Sequence, residues 1–144
     1  MNDISKSVAE IAAVFFDVYN TRDAPAMVGM FETGATVEYV PFDLIGPVEE
    51  VGPGSWGVLI DCFPDLSNHV RSITADASGR RAYVDVDISG TQAKNAFGVA
   101  SKGRAYRLRH LFILDMNDKG RLTRMTAFWD NVDWFRQLGK DTVD

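Results

Sequence analysis

Residues 106–139 read YRLRHLFILDMNDKGRLTRMTAFWDNVDWFRQLG, and this stretch decides the fold. Tyr106 to Met116 is an apolar, aromatic-rich run of strand length, with Arg107, Arg109 and His110 set into it. Asn117, Asp118, Lys119 and Gly120 form a turn, since Asn, Asp and Gly tolerate the left-handed dihedrals of a tight reversal. Leu122 to Trp129 is a second apolar run, and Asp130 stands where it passes into a closing helix. His110 shares a face with Tyr106, Leu108, Phe112 and Leu114, whereas Arg107, Arg109, Leu111 and Ile113 take the other. For the second strand two inward faces are compatible with the pattern: Arg124, Thr126, Phe128 and Asp130, or Thr123, Met125, Ala127 and Trp129.

Working outward, Arg81 to Gly90 alternates Ala82, Val84, Val86 and Ile88 against Tyr83, Asp85, Asp87 and Ser89, which predicts a half-buried strand. Leu66 to Ala75 is the strand before it, joined by a turn over 76–79. Thr91 to Gly103 is irregular and polar, with Phe97 and Val99 as its sizeable apolar groups. At the other end, Val8, Ile11, Ala12, Phe15, Phe16 and Tyr19 recur at helical spacing, with Ser5 or Ser7 as cap. Asp23 caps a short second helix that takes Pro25 in its first turn, turns Met27, Met30 and Phe31 inward and closes at Gly34. Ala35 to Phe42 is a strand. Pro41, Gly46-Pro47 and Gly52-Pro53-Gly54 predict a loop over 43–54, followed by a short helix from Ser55 to Phe63. Helices gathered early and strands gathered late predict an α+β domain, with helices packed on one face of a curved antiparallel sheet. No repeat, low-complexity tract or linker interrupts residues 1–144, so one domain is expected.

The chain has 144 residues, 46% of them hydrophobic and 24% charged, as in ordinary globular proteins. A net charge of −5 argues against a nucleic-acid partner. One cysteine, Cys62, makes no intrachain disulfide, and with two histidines it offers no compact zinc set. No phosphate loop or dinucleotide-type glycine pattern is present, so no cofactor is expected. The first 20 residues are interrupted by Glu10 and Asp17 and lack the features of a signal peptide, and no run reaches transmembrane length. A cytoplasmic protein without membrane contacts is the expectation.

Three segments, FFDVYNTRDAPAMVGMFETGATVEYV (15–40), GPGSWGVLIDCFPDL (52–66) and GRLTRMTAFWDNVDWFRQLG (120–139), together resemble the SnoaL-like polyketide cyclase and ketosteroid-isomerase-related group. That group lies within the nuclear-transport-factor-like superfamily. The resemblance implies a cone-shaped α+β (cystatin-like) fold, a deep apolar pocket between sheet and helices, and homodimerisation through the outer face of the sheet. It does not fix an activity, because the superfamily hosts isomerases, cyclases, dehydratases, epoxide hydrolases and binders, so function rests on the site.

His110-Leu111-Phe112 resembles the family's histidine two residues before an aromatic, and His110 is the first candidate acid/base group. A core histidine bonded to a backbone carbonyl is the structural alternative. Asp130 is the second candidate, with capping of the last helix as its alternative. The cyclases commonly place their aspartate seven residues after the turn glycine; here Ala127 occupies that place and Asp130 comes three residues later. Phe16, Tyr19, Tyr39, Trp56, Phe112 and Phe128 are the expected substrate-binding residues, the tyrosines and the tryptophan also offering a polar hydrogen. Arg107, Arg109 and Arg124 are expected to pair with Asp85 and Asp87 across the sheet. Two functions follow. One is a cofactor-free acid/base enzyme acting on a small apolar carbonyl compound. The other is a non-catalytic small-molecule-binding or assembly domain.

Overall fold

The computed structural model describes residues 6–140. Helix α1 (Val8–Asn20) opens on a reciprocal capping box: the Ser7 hydroxyl accepts from Glu10 N, and the Glu10 carboxylate accepts from Ser7 N. Ser5, the other candidate cap, lies outside the described residues. Helix α2 (Ala24–Val28) is capped by Asp23, which accepts from Ala26 N at 3.0 Å. It ends at Gly29 rather than Gly34. Gly34 sits inside β1 (Phe31–Tyr39) at φ +78°, where the pairing shifts register. A 3-10 turn (Val40–Phe42) containing Pro41 cuts the strand short of Phe42.

The predicted loop over 43–54 is instead strand β2 (Leu44–Pro47) and the first turns of a long helix, α3 (Val48–Cys62). Pro53 is tolerated because it faces solvent, where the carbonyl it leaves unbonded can be hydrated. Gly52 is not punctuation. A Cβ there would lie 2.9 Å from Val28 Cγ2 and 3.2 Å from the Trp56 ring, so the missing side chain is what lets α2 and α3 meet.

Strands β3 (Ser67–Ala75), β4 (Arg81–Thr91), β5 (Ala105–Met116) and β6 (Leu122–Trp129) complete an open six-stranded sheet of order β2-β1-β6-β5-β4-β3. Its neighbours are antiparallel except β1 and β6, which run parallel. Register shifts at Val70/Ser72 and Asp115/Met116 add local twist and curve the sheet around α1 and α3. The hairpin register sets His110 opposite Trp129, Phe112 opposite Ala127 and Leu114 opposite Met125. Of the two faces left open by the sequence, the one with Met125, Ala127 and Trp129 therefore faces the helices. Met125 and Ala127 are fully buried, while Phe128 is 37% exposed on the outside.

The outer face carries ion pairs. Asp87 holds Arg71 at 2.9 Å and Arg107 at 3.2 Å, and Asp85 holds Arg109. Arg124 turns to Glu38 on β1, at 2.6 Å, rather than to either aspartate. The last helix, α4 (Asn131–Leu138), closes one end of the molecule. Strand β5 outruns β6 over residues 105–109, which leaves Arg107 without a strand partner on that side. The Gln137 side chain takes its place, accepting from Arg107 N at 2.9 Å and donating to Arg107 O at 3.0 Å.

Candidate functional site

Two groups of aromatic rings fill the interior. Phe15, Phe16, Tyr19, Phe31, Trp56 and Phe112 form the first, at centroid distances of 5.1–6.3 Å. Phe42, Phe97, Trp129, Trp134, Tyr106 and Phe63 form the second, under α4. His110 joins the two, stacked on Phe112 at 5.8 Å and leaning on Trp129 at 5.3 Å.

A cavity of about 40 Å³ lies where the groups meet. Tyr19 of α1, Tyr39 at the end of β1, and Ser55 and Leu59 of α3 line one side. Ile88, Tyr106, His110 and Trp129 line it from the sheet, and Phe42, Phe97 and Trp134 close it. Because a water needs roughly 10–15 Å³, the chamber has room for only a few waters. An outer hollow of about 660 Å³ adjoins it, lined by Leu44, Ile45, Pro47, Glu50 and Val51. Phe42, Ser55 and Phe97 belong to both spaces. The Phe42 and Phe97 rings stack at 5.7 Å, so this pair forms the partition. Phe97 is held there with φ +54°, a left-handed conformation uncommon for a bulky residue.

His110 Nδ1 lies 3.0 Å from Leu108 O. A proton on Nδ1 donates to that carbonyl and leaves Nε2 as a lone-pair acceptor. Burial pushes the imidazole down from an ordinary 6.5 to about 4, with the Leu108 carbonyl and the field of Asp87 offsetting only part of the effect. The ring is thus neutral near pH 7.

Burial likewise raises Tyr19, whose hydroxyl also feels Tyr39 and Tyr106, and it raises those two phenols as well. All three stay protonated donors. Ser55 Oγ lies 2.5 Å from Val51 O and 3.1 Å from Tyr39 Oη. A hydroxyl has one proton; with it given to Val51, Tyr39 donates to Ser55. Trp129 Nε1 donates to Asn131 Oδ1 at 3.0 Å. Among the described residues, three buried side-chain polar atoms have no partner: the Asn68 and Gln92 amide oxygens and Trp134 Nε1.

The expected site residues therefore separate. His110, Tyr19 and Tyr39 line the chamber. Phe16, Trp56 and Phe112 do not: they pack in the first aromatic group. Phe128 lies on the outer face, one residue out of phase with Trp129. Asp130 is exposed and caps α4, accepting from Asp133 N at 3.0 Å. It borders a shallow outer groove together with His110, Trp129, Phe128 and Arg109, but it does not enter the chamber. No carboxylate among the described residues lines the chamber. Sequence reasoning missed Phe97 and Trp134. A lone aromatic in a polar loop was the available signal for Phe97; for Trp134 there was none beyond its ring. No group of three or more His, Cys, Asp or Glu among the described residues is placed to hold a metal ion. No helix among them is long and apolar enough to cross a membrane.

Residues 56–138 match the family model described as SnoaL-like polyketide cyclase. The comparison with curated proteins gives no match. Among solved structures, a candidate SnoaL-like polyketide cyclase from Jannaschia sp. CCS1 superposes with a TM-score of 0.81 at 17% identity, over 99% of this chain and 100% of that one. AclR, a candidate hydroxylase from Streptomyces galilaeus, gives 0.79 at 18% identity, over 95% of this chain and 89% of that one. SalBIII, an epoxide hydrolase/cyclase-like enzyme with a role in pyran ring formation in the polyether salinomycin, gives 0.74 at 18% identity, over 88% and 92%. At these identities the likeness is one of fold.

Proposed function

The chain belongs to the SnoaL-like polyketide cyclase family, and from that premise we propose that it is a cofactor-independent acid/base enzyme acting on a small apolar carbonyl compound, with His110 as its base. The observation that carries this reading is the neutral His110 in the chamber wall, its Nδ1 tied to Leu108 O and its Nε2 left to accept. In the proposed step Nε2 takes a proton from the carbon next to a carbonyl, and the C–H electron pair forms an enolate. The enolate carbon attacks a second carbonyl of the same molecule, and the resulting alkoxide takes the proton back from His110 Nε2. One histidine serves both transfers, so the chemistry needs no aspartate in the chamber. The Tyr19 and Tyr106 phenols of the chamber wall are the donors for the developing negative charge, since the Tyr39 proton is held by Ser55. Without a second carbonyl in reach, a β,γ-unsaturated ketone gives a dienolate, and return of the proton to its γ carbon is an isomerisation.

Deuterium exchange tests this directly. Small cyclic and aryl ketones in D2O should gain deuterium next to the carbonyl faster with wild type than in buffer, and His110→Gln should abolish the excess. Exchange that is no faster than buffer, or equal in the variant, removes the acid/base reading. The binding-domain reading would then hold; it is favoured by the lack of a chamber carboxylate among the described residues.

The same proposal takes the protein as a homodimer through the outer sheet face. Leu111 and Phe128 support it, being paired in register and 39% and 37% exposed. Sedimentation equilibrium at micromolar concentrations would show a dimer that Phe128→Glu dissociates; a wild-type monomer would end this part of the proposal.

A further inference from the structure

Trp134 is 4% exposed and sits among the rings of Phe42, Phe63, Phe97, Tyr106, Trp129 and Phe135. Its indole N–H has no hydrogen-bond partner among the described residues. The other two unpartnered buried atoms are amide oxygens, so this is the one donor of the set. Buried donors are almost always paired in native proteins, and an exception calls for an explanation. Aromatic neighbours offer an indole N–H only the weak acceptor of a ring face, whereas the chamber that Trp134 lines is the space from which a full-strength acceptor can arrive. The neighbouring Trp129, by contrast, already donates to Asn131.

We propose that Trp134 Nε1–H is a substrate-binding donor, and that the ligand presents it with an uncharged carbonyl oxygen. Two features fix the class of acceptor. Among the described residues no lysine, arginine or carboxylate lines the chamber wall, so a charged group would enter with none of them to neutralise it. The wall is otherwise rings and aliphatic groups, which an apolar body carrying one oxygen fits. Helix α4 is placed for this role from both ends. Asp130 caps its first turn, its carbonyl accepting from Trp134 N at 3.1 Å, and Gln137 fastens its last turn to Arg107. The indole is thereby held on a rigid element and not on a loop.

This inference rests on the reading of the chamber as the ligand site, but it stands or falls independently of catalysis. The probe is 1-indanone, with indane, which lacks the oxygen, as its control. Indole N–H resonances of wild type are followed by two-dimensional NMR, and Trp134→Phe assigns the Trp134 signal. The expected result is a downfield shift of that one resonance, saturating with 1-indanone and absent with indane. Trp134→Phe should weaken 1-indanone binding about tenfold, the worth of one hydrogen bond, and leave indane unaffected. The indole shift is read in wild type, so it does not depend on the variant folding. No ketone-dependent shift, an equal response to both probes, or no binding of 1-indanone overturns the assignment. If the indole responds but no His110-dependent deuterium exchange occurs, the donor stands and the acid/base reading falls. Exchange without an indole response gives the reverse.

Discussion

Protonating His110 should cost the fold measurable stability, and His110→Gln should remove that cost. The imidazole sits near 4 in the folded chain against an ordinary 6.5, chiefly because burial penalises its cation. As pH falls the unfolded chain therefore takes up this proton first. Stability from this group is complete above about pH 6.5 and is lost progressively as pH drops toward 4. The loss relative to pH 8 comes to about 1 kcal/mol at pH 6, about 2 at pH 5 and about 3 at pH 4, at roughly 1.4 kcal/mol per tenfold. Asp87 does not contaminate this window. Arg71 and Arg107 hold it below the ordinary 3.8, so its own contribution disappears at lower pH. Urea unfolding of wild type and His110→Gln at half-unit steps from pH 4 to 8 gives the difference directly. The glutamine amide can still donate to Leu108 O, so the variant isolates the titration. A stability difference that stays flat across the range would refute the half-buried, neutral imidazole, and with it the base assigned to the chamber.

Asp130→Ala should destabilise the fold by about 1 kcal/mol, the usual worth of a helix cap, while the His110 NMR titration midpoint stays put; a midpoint that moves would put both groups in one electrostatic unit. Gly52→Ala should destabilise by about 1–3 kcal/mol in spite of alanine's better helix propensity, since the new methyl meets Val28 Cγ2 at 2.9 Å. Denaturant unfolding checks it, and a gain in stability would show that α2 and α3 part without cost.

The elements with one clean periodicity were legible. The β5–β6 hairpin shows a two-residue alternation around an Asn-Asp-Lys-Gly turn, and α1 shows a 3.6-residue stripe behind Ser7-x-x-Glu10. The second half of helix α3 was legible from Ser55 onward, whereas its first turns were hidden because Gly52, Pro53 and Gly54 are helix breakers in isolation. Solvent on the Pro53 side and a helix crossing at Gly52 reverse that reading, and neither is written in local sequence. The chamber was legible by half. His110, Tyr19 and Tyr39 carry polar atoms in apolar runs, which marks them. Phe97 and Trp134 join through a loop and a terminal helix whose facing is decided by long-range packing. Asp130 was ambiguous because a carboxylate after a strand reads alike as acid or cap, and of the two readings the structure contains the cap. Only the register of Trp129 against His110 turns it outward.

The stacked Phe42–Phe97 partition bears on timing. A chamber of about 40 Å³ is too small for a carbonyl compound of several carbons, and the Phe42 and Phe97 rings stand between it and the larger outer hollow. Entry past those rings would make association depend on how often they part, and observed on-rates would level off as ligand concentration rises. A molecule already inside would be released on the same clock and shielded from bulk water between openings.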